Sequence, residues 1–140
     1  YYLIAHSERH GLTHYRVDKM AKLVKTDKPR IMTEEAKNLD LTRYGKTVFG
    51  MFAGTPQQVK LRFENALAGV VIDRFGKDAM LVPDGENHFT FTTEIVLSPV
   101  FYGWLAGFGE KAELLFPEAV RESFAALCRR TLSQYEPSQI

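Results

Sequence analysis

Alternating apolar and polar residues mark two short strands at the start of the chain. Tyr1 to Ala5 and Thr13 to Met20 are rich in β-prone residues, and the polar loop between them ends at Gly11, which tolerates positive φ. The pattern predicts a β-hairpin. Because side chains alternate between the two faces of a strand, Leu3 and Tyr15 fall on an apolar face, which we expect to pack inward.

The opposite face of this hairpin is polar and carries the candidate ligand-binding residues Tyr2, His6, His14 and Arg16. A guanidinium group can donate two parallel hydrogen bonds to a phosphate, and a tyrosine ring can stack on a base. The histidines can donate to the same anion, and Lys19 can extend the positive potential. The face therefore indicates an oligonucleotide or nucleotide ligand.

Ordinary structural roles compete with each of these assignments. Arg16 can instead form a surface ion pair with Asp18, and Tyr2 can simply be half-buried. His6 and His14 can be common strand-surface residues, and an exposed lysine usually only adds solubility.

A charged stretch with weak periodicity follows the hairpin. Residues 31–57 contain only short apolar patches, such as 48–52, and several turn-forming residues. A stretch of this length without strong elements is uncommon inside one compact domain. We predict three parts: residues 1–30, a connecting segment at 31–57 that packs against its neighbours, and a second module at 58–140.

The second module has a regular pattern that predicts the order βαββαβα. Val59, Leu61 and Phe63 alternate with polar residues, as in a strand covered on one face. The further predicted elements are a helix capped by Asn65 and ended by Gly76, strands at 79–82, 89–97 and 112–116 with a turn at 83–85, a helix opened by Ser98 and Pro99, and a final helix from Pro117. This order is that of a ferredoxin-like fold with an added C-terminal helix, so the chain belongs to the α+β class.

Arg62 is the candidate ligand-binding residue of the second module, since it lies on the sheet face opposite Leu61. The alternative for Arg62 is an ion pair across the exposed sheet. Phe101, Trp104 and Phe108 have helical spacing, which favours a hydrophobic core over an aromatic cage. Cys128 falls on an apolar helical stripe and is predicted to be a core thiol.

Charge divides the chain more sharply than its net value of +1 suggests. Residues 1–30 hold seven Lys and Arg against three Asp and Glu, residues 31–56 hold three of each, and residues 57–140 hold eight against eleven. A basic first part favours an anionic partner. The single cysteine fits a reducing compartment, and no apolar stretch is long enough to span a membrane, so we expect a cytoplasmic protein.

Catalytic, metal and cofactor sites are not indicated by the sequence. His6, His10 and His14 recur every four residues, a spacing that aligns metal ligands on a helix but not on a hairpin. No nucleophile motif lies near His14 and Asp18. We therefore expect no enzyme, no metal and no cofactor, with catalysis by His14 and Asp18 as the remotest alternative.

Several short motifs resemble one family of bacterial transcriptional regulators. Tyr1-Tyr2-Leu3 and the run from Thr13 to Met20 resemble the second half of a WYL domain, with Tyr1 where the family usually has Trp. The run from Val59 to Phe63, the helix end from Trp104 to Gly109 and the run from Leu114 to Pro117 resemble the WCX extension that follows WYL domains.

This resemblance implies a fold and a function. Residues 1–30 would be the C-terminal part of a WYL domain, a partial Sm/SH3-like β-barrel, cut so that its hairpin leaves unpaired edges; residues 58–140 would be a WCX-like ferredoxin-fold domain. The family binds operator DNA through an upstream helix-turn-helix domain and responds to nucleic-acid or nucleotide-like ligands. We expect an effector-sensing and dimerisation region that forms a homodimer, or alternatively a structural dimerisation scaffold that binds no ligand.

Overall fold

The computed structural model describes residues 1–41, 44–45, 48–49, 52 and 54–136, which contain both helices and strands. The strands are β1 (Tyr2–Ser7), β2 (Gly11–Arg16), β3 (Gln57–Glu64), β4 (Val82–Asp84), β5 (His88–Ile95) and β6 (Ala112–Phe116). The α-helices with defined bounds are α1 (Glu34–Lys37), α2 (Ala68–Phe75), α3 (Pro99–Ala106) and α4 (Glu118–Leu132).

The first sheet is the predicted hairpin. Strands β1 and β2 pair antiparallel from Tyr2 opposite Arg16 to Ser7 opposite Gly11, and Gly11 has a φ of 63°. Among the described residues no third strand joins this pair, so both outer edges are unpaired and no barrel is closed. The strand expected to reach Met20 ends at Arg16, because a 3₁₀ turn occupies Val17–Lys19.

The second sheet has four antiparallel strands in the order β4-β5-β3-β6. In the central strand β3, Val59, Leu61 and Phe63 are fully buried, which confirms the predicted alternation. Helices α2, α3 and α4 contribute to the same hydrophobic core and therefore cover this face of the sheet. The other face carries Lys60, which is exposed, and Arg62, which is partly exposed.

Helix α3 begins where the sequence predicts. The Ser98 hydroxyl accepts a hydrogen bond of 3.2 Å from the Phe101 amide, and Pro99 occupies the first helical position. Phe101 and Leu105 are buried, and Trp104 is partly buried against the same core. The aromatic residues of α3 are thus core residues, as predicted.

Two local predictions are wrong. Asn65 does not cap α2: its side chain donates to the Glu86 carbonyl at 3.0 Å, and its backbone begins a 3₁₀ turn, Asn65–Leu67, that precedes the helix. The strand predicted at 79–82 begins only at Val82, so Pro83 and Asp84 lie in this edge strand β4 and not in the predicted turn. An edge position tolerates the missing amide of proline. The turn follows at Gly85, whose φ is 73°.

Helix α4 corrects the prediction for the cysteine. Val120 is buried and the Phe124 ring stacks on Tyr102 of α3, so this stripe of α4 faces the core. Cys128 lies one residue beyond the inward position of Leu127 and is exposed.

Of the helices in the described residues, none has the length and apolarity needed to cross a membrane.

Candidate functional site

The hairpin register brings the predicted ligand residues onto one face. Tyr2 lies directly opposite Arg16, Ile4 opposite His14, and His6 opposite Leu12. Since opposite residues in an antiparallel pair share a face, the predicted grouping of Tyr2, His6, His14 and Arg16 is present. We call this surface the hairpin face.

The other side of the hairpin is not the buried side that the pattern predicts. Leu3 is 49% exposed and Tyr15 is 40% exposed. The described residues place no second layer against them, whereas the hairpin face is partly covered near His14. The apolar residues are therefore available for contacts outside the described part of the chain.

Arg16 is engaged by a neighbouring carboxylate. Its Nε and Nη2 atoms donate to Asp18 at 3.1 Å and 2.6 Å, and both side chains are at least half exposed. The hydrogen bonds to Arg16 lower the pKa of Asp18, and the same contact raises the pKa of Arg16. The guanidinium group is thus oriented and charged, and a phosphate would compete with Asp18 for it.

His14 is fixed by a residue that the sequence did not single out for the site. The Tyr44 hydroxyl and the His14 Nε2 atom share a hydrogen bond of 2.8 Å, and the ring centroids are 5.5 Å apart. Burial, followed by the charge of Glu35, raises the pKa of Tyr44, so its hydroxyl stays protonated at neutral pH. Tyr44 lies in a weakly periodic segment, and only its contact with His14 identifies it.

A cavity of about 380 Å³ lies beside this contact. Its lining includes His10 and Leu12 of the hairpin and Glu35, Tyr44 and Pro56 of the connecting segment. The connecting segment therefore packs against the hairpin, and the edge of the hairpin face borders a space large enough for a small polar group.

Lys19 and His6 lie at the margin of the hairpin face. Lys19 is exposed in the 3₁₀ turn directly after β2, and His6 is exposed near the end of β1. Among the described residues no group of three His, Cys, Asp or Glu side chains has the arrangement of a metal site.

Arg62 is not part of this group, because it lies in the second sheet. Its Nε atom is 2.8 Å from Asp84 Oδ2, and Nη1 is 3.8 Å from Glu113 Oε2. The Nε atom is shielded from solvent and makes no aligned hydrogen bond, so the Asp84 contact is an electrostatic pair. The geometry is the cross-strand ion pair that the sequence offers as the alternative for Arg62.

The second sheet and its helices coincide with a known family. The family model of the WCX domain matches residues 55–132, a range that runs from two residues before β3 to the end of α4 and covers more than half of the chain. The predicted resemblance to the WCX extension is thereby confirmed. No curated protein matches this chain.

Proposed function

Because this chain belongs to the WCX domain family through residues 55–132, we propose that it is the C-terminal regulatory region of a WYL-type transcriptional regulator. In this proposal the hairpin is the end of a WYL domain with an Sm/SH3-like barrel, and operator DNA is bound by a helix-turn-helix domain outside the chain. The second module is ferredoxin-like, an assignment supported by its strand order β4-β5-β3-β6 and its three core-facing helices.

The hairpin face is the proposed effector site, and its ligand is a short single-stranded nucleic acid or a nucleotide. The observation that carries this assignment is the direct pairing of Tyr2 with Arg16 across the strands. The ring of Tyr2, which can stack on a base, and the guanidinium group of Arg16, which can donate two hydrogen bonds to a phosphate, lie side by side, and both are exposed to solvent. Asp18 orients the guanidinium group of Arg16 when no ligand is bound.

Two substitutions with opposite expected effects test the effector site. Arg16→Gln removes the phosphate contact and should weaken binding of a labelled single-stranded oligonucleotide, with the slope of log K against log salt reduced by about 1. Asp18→Asn removes the competing carboxylate and should strengthen binding. Lys25→Gln, an exposed cation outside the hairpin, is the matched control. Unchanged affinity and salt dependence in Arg16→Gln would exclude Arg16 as a ligand.

A second candidate function is dimerisation without ligand sensing. The exposed apolar side of the hairpin, with Leu3, Tyr15 and Val17, supports it, because a contiguous apolar surface of this kind usually packs against another surface. Sedimentation across a range of concentrations tests this candidate. A monomer at every concentration would contradict it, and a dimer that Tyr15→Ser dissociates would favour it.

A further inference from the structure

The connecting segment contacts both sheets of the protein within a few residues. At Tyr44 it shares the 2.8 Å hydrogen bond with His14 of the hairpin face. At Phe49 it enters the core of the second module, where the ring is 4% exposed and lies 5.3 Å from the rings of both Phe101 and Trp104. We call Tyr44, Gly45, Val48 and Phe49 the clasp.

Arg74 of helix α2 holds the clasp between these two contacts. Its Nη1 atom donates to the Gly45 carbonyl and its Nη2 atom to the Val48 carbonyl, both at 3.2 Å. The guanidinium carbon lies 4.0 Å from the centre of the Phe49 ring. One planar side chain therefore fixes the backbone at two points and stacks on the residue that anchors the segment.

The role of Arg74 is specific because its charge has no carboxylate partner within the described ranges. Partial burial lowers the pKa of Arg74, yet an arginine remains charged at neutral pH. Both hydrogen bonds that Arg74 donates within the described ranges go to carbonyls of the clasp, so both are lost when the clasp moves away. Release of the clasp and loss of these contacts are therefore one event.

We infer that the clasp, held by Arg74, positions His14 on the hairpin face and couples occupancy of that face to the aromatic core around Trp104. The inference rests on the proposed function for its ligand, but the clasp itself is a property of the protein alone. A phosphate that takes His14 Nε2 displaces the Tyr44 hydroxyl, because one nitrogen cannot serve both partners. Displacement of Tyr44 then shifts Phe49 in the core. Because coupling between two sites is reciprocal, a variant that loosens the clasp also changes the affinity for the ligand.

Hydrogen exchange without ligand tests the clasp first. Arg74→Lys keeps the positive charge but loses the planar guanidinium group that donates to two carbonyls. Tyr44→Phe keeps the ring and loses the hydroxyl. We expect each to speed exchange of the β1 and β2 amides by roughly 2- to 10-fold, the range of one hydrogen bond, with β3 and β5 unchanged. The double variant should exchange little faster than either single variant, because Arg74 acts on the hairpin through the contact between Tyr44 and His14.

A surface arginine of the same module provides the control. Arg121→Gln removes an exposed ion pair with Glu113 and should leave exchange in the hairpin unchanged. Unchanged hairpin exchange in both Arg74→Lys and Arg74→Gln, with the protein folded, would overturn the inference. Equal acceleration in Arg121→Gln would do the same, since the effect would then be a general loss of stability.

Fluorescence of Trp104, the single tryptophan, tests the coupling. Titration with a short single-stranded oligonucleotide should change Trp104 emission in the wild-type protein. Tyr44→Phe should still bind, as measured by anisotropy of the labelled oligonucleotide, but lose most of the Trp104 response. Binding without a Trp104 response in the wild type would reject the coupling and leave the proposed function intact. Absence of binding would reject the proposed effector, while the exchange experiment still decides whether the clasp positions the hairpin.

Discussion

Arg62 of the central strand reaches Asp84 of the edge strand across the strand that lies between them. The direct partner of Arg62 on β5 is Thr90, and the Nε atom of Arg62 is 2.8 Å from Asp84 on β4. The arginine side chain thus passes over Thr90, which is only 7% exposed, and contributes to its burial. One side chain ties three strands together.

Replacement of Arg62 by Met should cost a small, salt-sensitive amount of stability. The partners of Arg62 are roughly half exposed, so the ion pairs contribute about 1 kcal/mol or less, and the methionine stem retains part of the cover over Thr90. Urea denaturation at low and high salt measures the loss. Lys60→Met, on the same face of the same strand, is the control and should be nearly neutral. A loss that does not shrink at high salt would show that packing, and not charge, is the contribution of Arg62.

Phe49 belongs to the core although it precedes the family match, and its removal should be severe. Phe49→Ala deletes a 4% exposed ring packed against Phe75, Phe101 and Trp104, for which we expect a loss of about 3 to 5 kcal/mol in the free energy of unfolding. Phe52→Ala is the control, since that ring is 42% exposed in the same segment. Equal losses in the two variants would contradict the placement of Phe49.

Local patterns predicted the parts of the fold that are set by local physics. Strand β6 has the predicted bounds, and β3 shows the predicted alternation, because each lies between clear turn signals and buries one face. The start of α3 was predictable because Ser98 and Pro99 act on their own helix. The grouping of the hairpin face was predicted on the condition that the register matches the faces of the two strands, and the pairing of Tyr2 with Arg16 meets that condition.

Contacts between distant segments were not predictable. Nothing in the spacing around Tyr44 or Phe49 indicates that one residue meets His14 and the other fills the core. Arg74 falls at helical spacing with apolar residues. The sequence therefore does not distinguish an arginine whose aliphatic part only packs on the core from one whose guanidinium group also donates to two carbonyls. The hairpin's apolar face was expected inside because the pattern shows which residues share a face and not which face is covered.

The N-terminal cap of α3 should contribute more to the free energy of unfolding than an exposed cap does. Ser98 is 3% exposed and its hydroxyl satisfies the Phe101 amide, so Ser98→Ala leaves a buried donor without a partner and should cost about 1 to 2 kcal/mol. Thr33→Ala removes the corresponding contact to the Ala36 amide at the short helix α1. Because α1 has four residues and none of them is buried, we expect little change there in urea denaturation. A cost for Ser98→Ala no larger than that for Thr33→Ala would refute the role of burial.

The ion pair between Arg16 and Asp18 predicts a pH dependence with a definite sign. Since Arg16 lowers the pKa of Asp18 in the folded state, the unfolded state takes up a proton first as the pH falls. The pair therefore stabilises the hairpin above the ordinary aspartate pKa, and the contribution disappears as the pH falls through the lowered value. NMR titration of the Asp18 carboxyl should show its pKa returning towards the ordinary value in Arg16→Gln and at high salt, which screens an exposed pair. Arg9→Gln removes a cation from the loop of the same hairpin and should leave the titration unchanged. If Arg9→Gln moved the pKa of Asp18 as far as Arg16→Gln does, the shift would come from the general basic charge of residues 1–30 and not from the fork that we assign to the ligand.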